Sequence, residues 1–269
     1  IGTNSIHLVL AEVEQDFSYK ILDRFKDMTR LGDGTFETRR LSEASMARGL
    51  EVIRNLVTLA RNKGYEQIEA VATSAVREAK NGGEFIQAVA RQTGLTVRVV
   101  TGQEEARLIY LGVRHSMDLA GKPTLIVDVG GGSVELIVGT DRSMLQGQSI
   151  KLGAIRLKDL FLQRDPPGTS MVKALRHAVE SAIESALRRF RVKRHSRLVG
   201  TSGMIGNLAE VIHLRRTGRP LTQTNMATFT LKEVQAVEKD LFASDFTTRL
   251  NIPGLDPKRA RSEERRVGK

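Results

Sequence analysis

Short apolar runs bounded by polar turns alternate along this chain with longer stretches in which apolar residues recur every three to four positions. Residues 7–13 and 19–24 are runs of the first kind and predict two strands of a meander. Met46, Leu50, Ile53, Val57 and Ala60 fall on one face of a helix over residues 41–63, and Gly64 suits its end. Strands follow at 67–73 and 96–100, with a helix at 84–92 between them, and another helix opens at Thr101 and runs through Val113. The second half repeats the style. Strands are expected at 125–128, 133–139, 144–151 and 197–199. A long amphipathic helix is expected at 170–190, with Met171, Leu175, Ala178, Ala182 and Leu187 roughly along one face. Helices at 203–212 and 231–243 complete the pattern, and Thr230 with Glu233 forms a capping box for the last of them. Such alternation means an α/β fold. Gly121-Lys122-Pro123 interrupts it, so a boundary is expected at 109–122, dividing residues 1–115 from 116–260.

The two halves also echo one another. Ile1-Gly2-Thr3-Asn4-Ser5-Ile6 and Val129-Gly130-Gly131-Gly132-Ser133-Val134 share a plan of small-residue turn, serine and apolar strand, at a constant offset of 128 residues. Two copies of one supersecondary unit predict two related domains. The second copy is preceded by a strand ending in Asp128, and a matching strand and aspartate are expected just before Ile1, so the chain reads as truncated there.

Composition narrows the chemistry. There is no cysteine, which excludes disulfides, thiolate metal sites and a cysteine nucleophile, and suits a cytoplasmic setting. No apolar run approaches a transmembrane length. The five histidines lack metal-ligand spacing. A net charge of +11 favours polyanionic partners without choosing among them. Residues 261–269, RSEERRVGK, read like a translated sequencing adapter; without their four basic and two acidic residues the chain still carries +9.

The strongest local signal is Asp128-Val129-Gly130-Gly131-Gly132-Ser133-Val134-Glu135. A strand delivers a carboxylate, and three glycines let backbone N–H groups approach an anion without Cβ obstruction. Ser133 adds a hydroxyl, and Glu135 lies where it can help hold a magnesium ion. The loop lacks the Gly-Lys-Ser/Thr ending of a Walker A motif, and the bland alternative is a glycine-rich hairpin turn. Thr101 and Glu104 fit a capping box, which leaves Glu105 at the first helical turn, either as a base for water attacking phosphorus or as a solvated acid favoured by the helix dipole. Arg77, after the strand ending at Thr73, suits a phosphate or a surface salt bridge. Gly200-Thr201-Ser202-Gly203 opens a helix as an anion-friendly terminus or a simple N-cap. Arg188, Arg189, Arg191, Lys193 and Arg194 form the densest basic run, a guide for a polyanion or a solvated helix end.

These segments, in this order, resemble the exopolyphosphatase/guanosine pentaphosphatase family: IGTNSIHLVL, residues 73–77, GQEEARLIYLGV, DVGGGSVELIVG, KLGAIRL and GTSGMIG. The resemblance covers essentially residues 1–260. It implies a two-domain actin-like ATPase fold (acetate/sugar kinase–Hsp70–actin, ribonuclease H-like) with the active site in the interdomain cleft. It implies release of terminal orthophosphate from polyphosphate or from pppGpp, with Mg²⁺ or Mn²⁺ as cofactor, in a cytoplasmic homodimer with no specific nucleic-acid partner. Carried over by motif, Glu105 is the general base and Arg77 neutralises charge. Asp128 and Glu135 organise metal and water, while Asn4, Ser5, Gly130, Gly131, Gly132 and Ser133 hold phosphate. The family's first-loop aspartate and further C-terminal helices are missing from this sequence. Two other readings use the same residues: an ATP-dependent small-molecule kinase of the same superfold, and a non-catalytic polyanion- or alarmone-binding protein.

Overall fold

In the first half of the chain, β1 (Ile6–Val13) and β2 (Tyr19–Asp27) pair antiparallel, as the expected meander. The computed structural model describes residues 1–16, 18–190, 197–223 and 226–260. After the meander come α1 (Thr35–Thr38), α2 (Glu43–Asn62), β3 (Ala70–Ala72), α3 (Ser74–Glu78), α4 (Gly82–Thr93) and β4 (Val97–Val99). The Ser42 hydroxyl accepts from the Ser45 amide at 3.1 Å and starts α2, whose buried stripe is Ile53, Val57 and Ala60. Gly64, at φ +85°, leads the chain away from its end. Phe85 and Val89 of α4 join Ile53 and Val57 of that stripe and Ala72 of β3 in one hydrophobic core. β3 and β4 run parallel.

Next, α5 (Gly102–Ser116) leads into β5 (Thr124–Val129), β6 (Val134–Gly139) and β7 (Met144–Ile150). Then come α6 (Ala154–Phe161), α7 (Thr169–Arg188), β8 (Arg197–Thr201), α8 (Gly203–Thr217), α9 (Leu231–Ala243), α10 (Phe246–Leu250) and α11 (Pro257–Ala260). The sheet order is β7-β6-β5-β8, an antiparallel meander joined by one parallel strand. Helices cover both faces. Ala106, Tyr110 and Val113 of α5 pack on Ile126 and Ile137, so α5, nearly all of which falls before the division expected after residue 115, lies on the second sheet. Ala182, Ile183 and Ala186 of α7 cover Leu136 and Val138, which alternate to the opposite face.

The echo between the halves is a structural repeat. The Gly2 amide donates to the Ser5 carbonyl at 3.0 Å, and Gly130 donates to Ser133 at the same 3.0 Å. Ile1 sits beside β3 in the parallel pattern, through bonds to Val71 (2.7 Å) and Thr73 (3.1 Å), as β5 sits beside β8. Each half thus places a tight turn next to a parallel strand that ends in a helix.

Several expectations change. The strand placed at 67–73 shortens to β3, and Arg77 lies in a short helix rather than at a strand end. The apolar face of α7 runs through Val179, Ala182, Ile183 and Ala186, leaving Leu187 at 37% exposure, because twenty residues of a 3.6 period drift off a straight stripe. Helices α1, α3, α6, α10 and α11 are too short for a periodic signature. Arg191, Lys193, Arg194 and the segment 261–269 lie outside the described residues. Among the described residues no helix is long and apolar enough to cross a membrane.

Candidate active site

Cross-strand register builds the first part of the site. Asp128 on β5 lies opposite Glu135 on β6, Glu135 lies opposite Ser149 on β7, and Asp128 lies beside Thr201 on β8. Ser149, Glu135, Asp128 and Thr201 therefore form one polar row across all four strands. Residues two apart in a strand share a face, so the row lies on the face whose Ile126 and Ile137 meet α5. The Ser149 hydroxyl donates to Glu135 Oε1 at 2.7 Å, and the Thr201 hydroxyl donates to Asp128 Oδ2. Ser133, only 4% exposed, also hydrogen-bonds Glu135.

Helix α5 brings the third carboxylate. The Thr101 hydroxyl accepts from the Glu104 amide at 3.1 Å and starts the helix. The expected capping box is only half formed: the Glu104 carboxylate pairs with Arg98, an exposed strand residue within reach. Glu105, one residue on, turns inward and accepts from Arg77 Nη1 through Oε2 at 2.9 Å. Arg77 is itself anchored on the Val100 carbonyl at 2.8 Å.

The three carboxylates sense one another. Burial pushes the Glu105 carboxyl up, against the opposing Arg77 guanidinium and with help from Asp128. Burial also raises Asp128, which the Thr201 hydrogen bond opposes. Burial, then the Glu105 charge, push Glu135 to about 7. Among the described residues no group of three or more His, Asp or Glu side chains is set to hold a metal ion.

The glycine loop meets its first-half counterpart head on. A Cβ at Gly131 would lie 3.0 Å from Thr3 Cβ and 3.3 Å from Asn4 Cβ, so the two turns touch. Carbonyls of the loop point the other way, into the start of α6. Ala154 donates to Gly130 at 2.9 Å, Ile155 to Gly131 at 2.8 Å, and Arg156 Nε to Gly132 at 2.7 Å. This contact needs glycine at position 153, because a Cβ there would collide with the Gly131–Gly132 backbone. Within the described residues, the amides of Gly131 and Gly132 carry no hydrogen bond. Adjacent unpaired amides of this kind suit an anion. Of the other expected phosphate ligands, Asn4 stands beside Gly131, whereas the Ser5 hydroxyl is taken up by His7 Nε2 at 2.8 Å and Ser133 by Glu135. At the start of α8 the Ser202 hydroxyl accepts from Met204 and Ile205, so that terminus carries an ordinary N-cap.

Beside the loop lies a cavity of about 450 Å³, lined by Thr35, Phe36, Arg39, Arg77, Glu78, Lys151 and Arg156. Four of the seven are cationic. Arg77 belongs both to this cavity and to the Glu105 contact, so the cavity opens next to the carboxylates. Glu78 accepts from Arg156 at 2.6 Å and from the Ser74 hydroxyl at 2.9 Å, and pairs with Lys151 at 3.3 Å. Burial works against this carboxylate, but Ser74, Arg156 and Lys151 together hold it below its usual range. The Arg156 guanidinium also stacks 3.9 Å from the Phe36 ring centroid.

Arg39, Glu78, Lys151 and Arg156 had no role in the sequence reading. Lys151 and Arg156 stand in the KLGAIRL segment, whose signal was present but unassigned. Arg188 and Arg189, at the end of α7, do not line this cavity; Arg188 pairs with Glu184 at 3.6 Å.

The overall fold is similar to that of solved structures. An exopolyphosphatase from Cytophaga hutchinsonii superposes with a TM-score of 0.86 at 28% identity, covering 97% of this chain and 83% of that one. A Ppx/GppA family member from Aquifex aeolicus gives a TM-score of 0.75 at 27% identity, covering 97% and 83%. A curated protein of Haemophilus influenzae, named provisionally as an exopolyphosphatase, is 28% identical over 263 residues, 96% of this chain and 77% of its own length. The two-lobed α/β architecture expected from the sequence is the one observed. Residues 8–263 match the Ppx/GppA phosphatase family, and the chain belongs to that family.

Proposed function

We propose that this protein hydrolyses the terminal phosphoanhydride bond of inorganic polyphosphate, releasing orthophosphate. One observation carries the reading: Arg77 joins a desolvated carboxylate, Glu105, to a cavity lined by four cations beside two unpaired glycine amides. Phosphoryl transfer needs positioning and charge stabilisation more than covalent chemistry, and this is what the site offers. The terminal phosphoryl group lies against the Gly131 and Gly132 amides. Phosphates beyond the scissile bond enter the cavity, where Arg39, Arg77 and Lys151 offset their charge. Arg77 binds Glu105 through Oε2 and Thr73 also hydrogen-bonds the carboxylate, whose further lone pairs would take a water molecule. As the water oxygen attacks phosphorus and the bridging P–O bond breaks, Glu105 takes the water proton, and its raised affinity for protons favours that step. The same chemistry accommodates the 5′-terminal phosphate of pppGpp.

Asp128 and Glu135 are the residues that would hold a magnesium or manganese ion. With no larger carboxylate group among the described residues, they fit the mode in which one or two carboxylates share the ion with water and substrate phosphate. Their buried, mutually repelling charges suit such a cation. When bound, the ion would neutralise charge on the phosphoryl oxygens.

The test is phosphate release from long-chain polyphosphate, and from pppGpp in parallel, with magnesium present. Glu105→Gln is expected to lower turnover by about 10²–10⁴-fold without loss of substrate binding. Turnover near the wild-type value would sink the assignment of Glu105 as base. No release from either substrate by the wild-type chain would sink the reading as a whole.

A further inference from the structure

We infer that Arg156 is a positioning residue, which clamps the glycine loop from one lobe while gripping the other lobe through Glu78 and Phe36. The argument starts from peptide planarity. Holding a carbonyl oxygen fixes the direction of the next residue's N–H, because both lie in one rigid plane. Backbone amides of Ala154 and Ile155 already fix the Gly130 and Gly131 carbonyls, and hence the Gly131 and Gly132 amides. The next plane, between Gly132 and Ser133, is held by a side chain alone, Arg156 Nε at 2.7 Å. That side chain is the adjustable member of the clamp.

Its other contacts belong to the first half of the chain. Arg156 Nη2 donates to Glu78 at 2.6 Å, across 78 residues of sequence, and its plane lies over Phe36 of α1. The Gly34 amide donates to Asp159 at 3.2 Å beside this contact and ties α1 to α6 a second time. The Arg156 side chain is 10% exposed and Glu78 is 22% exposed, so the pair is shielded from solvent. A guanidinium suits the task because its planar fork can donate to a carbonyl and a carboxylate at once while stacking on a ring. A lysine ammonium has the charge but cannot hold all three contacts in one plane. Glu78, by the same logic, sets the angle of Arg156. Arg156 thus sets the last plane of the loop, and with it the Ser133 amide beside the two already fixed, through contacts that reach both lobes.

This inference rests on the glycine loop binding the reacting phosphoryl group, so the experiment carries one readout that needs no turnover. Arg156→Met, Arg156→Lys, Glu78→Gln and the double variant Arg156→Met/Glu78→Gln are made in the full chain. Hydrogen exchange is followed in peptides covering residues 129–134 and 34–38. Arg156→Met is expected to speed exchange in both segments while leaving α2 and α4 protected. With polyphosphate as substrate, kcat should fall about 10²-fold, the usual cost of a misplaced reacting group, with KM changed much less. Arg156→Lys should recover only part of the loss. The double variant should be little worse than Arg156→Met alone, since both substitutions break one linked contact. Unchanged exchange at 129–134 in Arg156→Met would overturn the inference whether or not the protein turns over polyphosphate. So would a KM rise with intact kcat, which would make Arg156 a substrate-binding group. Inactive wild-type protein with the expected exchange changes would leave the clamp standing and sink only the proposed reaction.

Discussion

Glu135 is 1% exposed and stands in a strand whose six residues are all buried, with only hydroxyl partners for its charge. Burial first, then Glu105, raise its pKa to about 7 from 4.5. The folded state therefore keeps a proton that the unfolded chain has already lost, and stability falls as pH rises from about 4.5 to about 7. The full penalty, on the order of 3 kcal/mol at 1.36 kcal/mol per unit, is present above that window. Glu105 and Asp128 are shifted in the same direction. Glu135→Gln should thus be more stable than the wild type at pH 8 and nearly equal to it at pH 5. Thermal unfolding in EDTA at both pH values checks this; an equal gap at both would contradict it. The sequence showed that Glu135 follows the glycine loop. It did not show that Ser149 and Ser133 both donate to it, because those contacts depend on strand register and side-chain direction.

At the scale of elements, α5 matters most, because its first turn aims Glu105 and its apolar stripe seats it on the second sheet. Thr101 makes the N-terminal cap, while Glu104 serves an exposed ion pair with Arg98. Thr101→Ala should cost about 1 kcal/mol of stability. Glu104→Gln should cost less than about 1 kcal/mol, as exposed pairs contribute little. Denaturant titration of both variants separates the two residues, and a larger loss for Glu104→Gln would restore the full capping box. Elements of this length were legible: α2, α4, α5 and α9 follow their apolar periods closely, and α9 matches its expected bounds. The short helices α1, α3 and α6 were not, and they deliver Phe36, Glu78 and Arg156 to the site. One or two turns hold too few residues for a period, and tertiary contacts stabilise such helices more than propensity does.

Across the whole molecule the excess of positive charge has two destinations. Part of it lines the cavity beside the glycine loop. Another part is the run from Arg188 to Arg194, which begins at the end of α7. If that run guides a polymer, neutralising Arg189, Arg191, Lys193 and Arg194 should raise KM for long polyphosphate far more than for a short chain. The wild-type KM for long chains should climb steeply with salt and the variant's more gently, since such contacts are screened over roughly 8 Å at physiological ionic strength. Equal losses for both chain lengths would place the run in the fold or the cleft. No loss for either would make it a solvated helix end.

By itself the sequence determined the α/β class, the repeat at offset 128 and the glycine loop flanked by Asp128 and Glu135. Each of these is written in consecutive residues, as a hydrophobic period, a turn signature or a motif, and local chemistry is enough to decode it. Tertiary structure alone decided the polar row from Ser149 to Thr201, the joining of Glu105 to Arg77, and the grip of Arg156 on Gly132 and Glu78. Those contacts span 14 to 78 residues of chain. Their partners are selected by strand register and by the packing of α3 and α6 against the glycine loop, which no single stretch of sequence encodes.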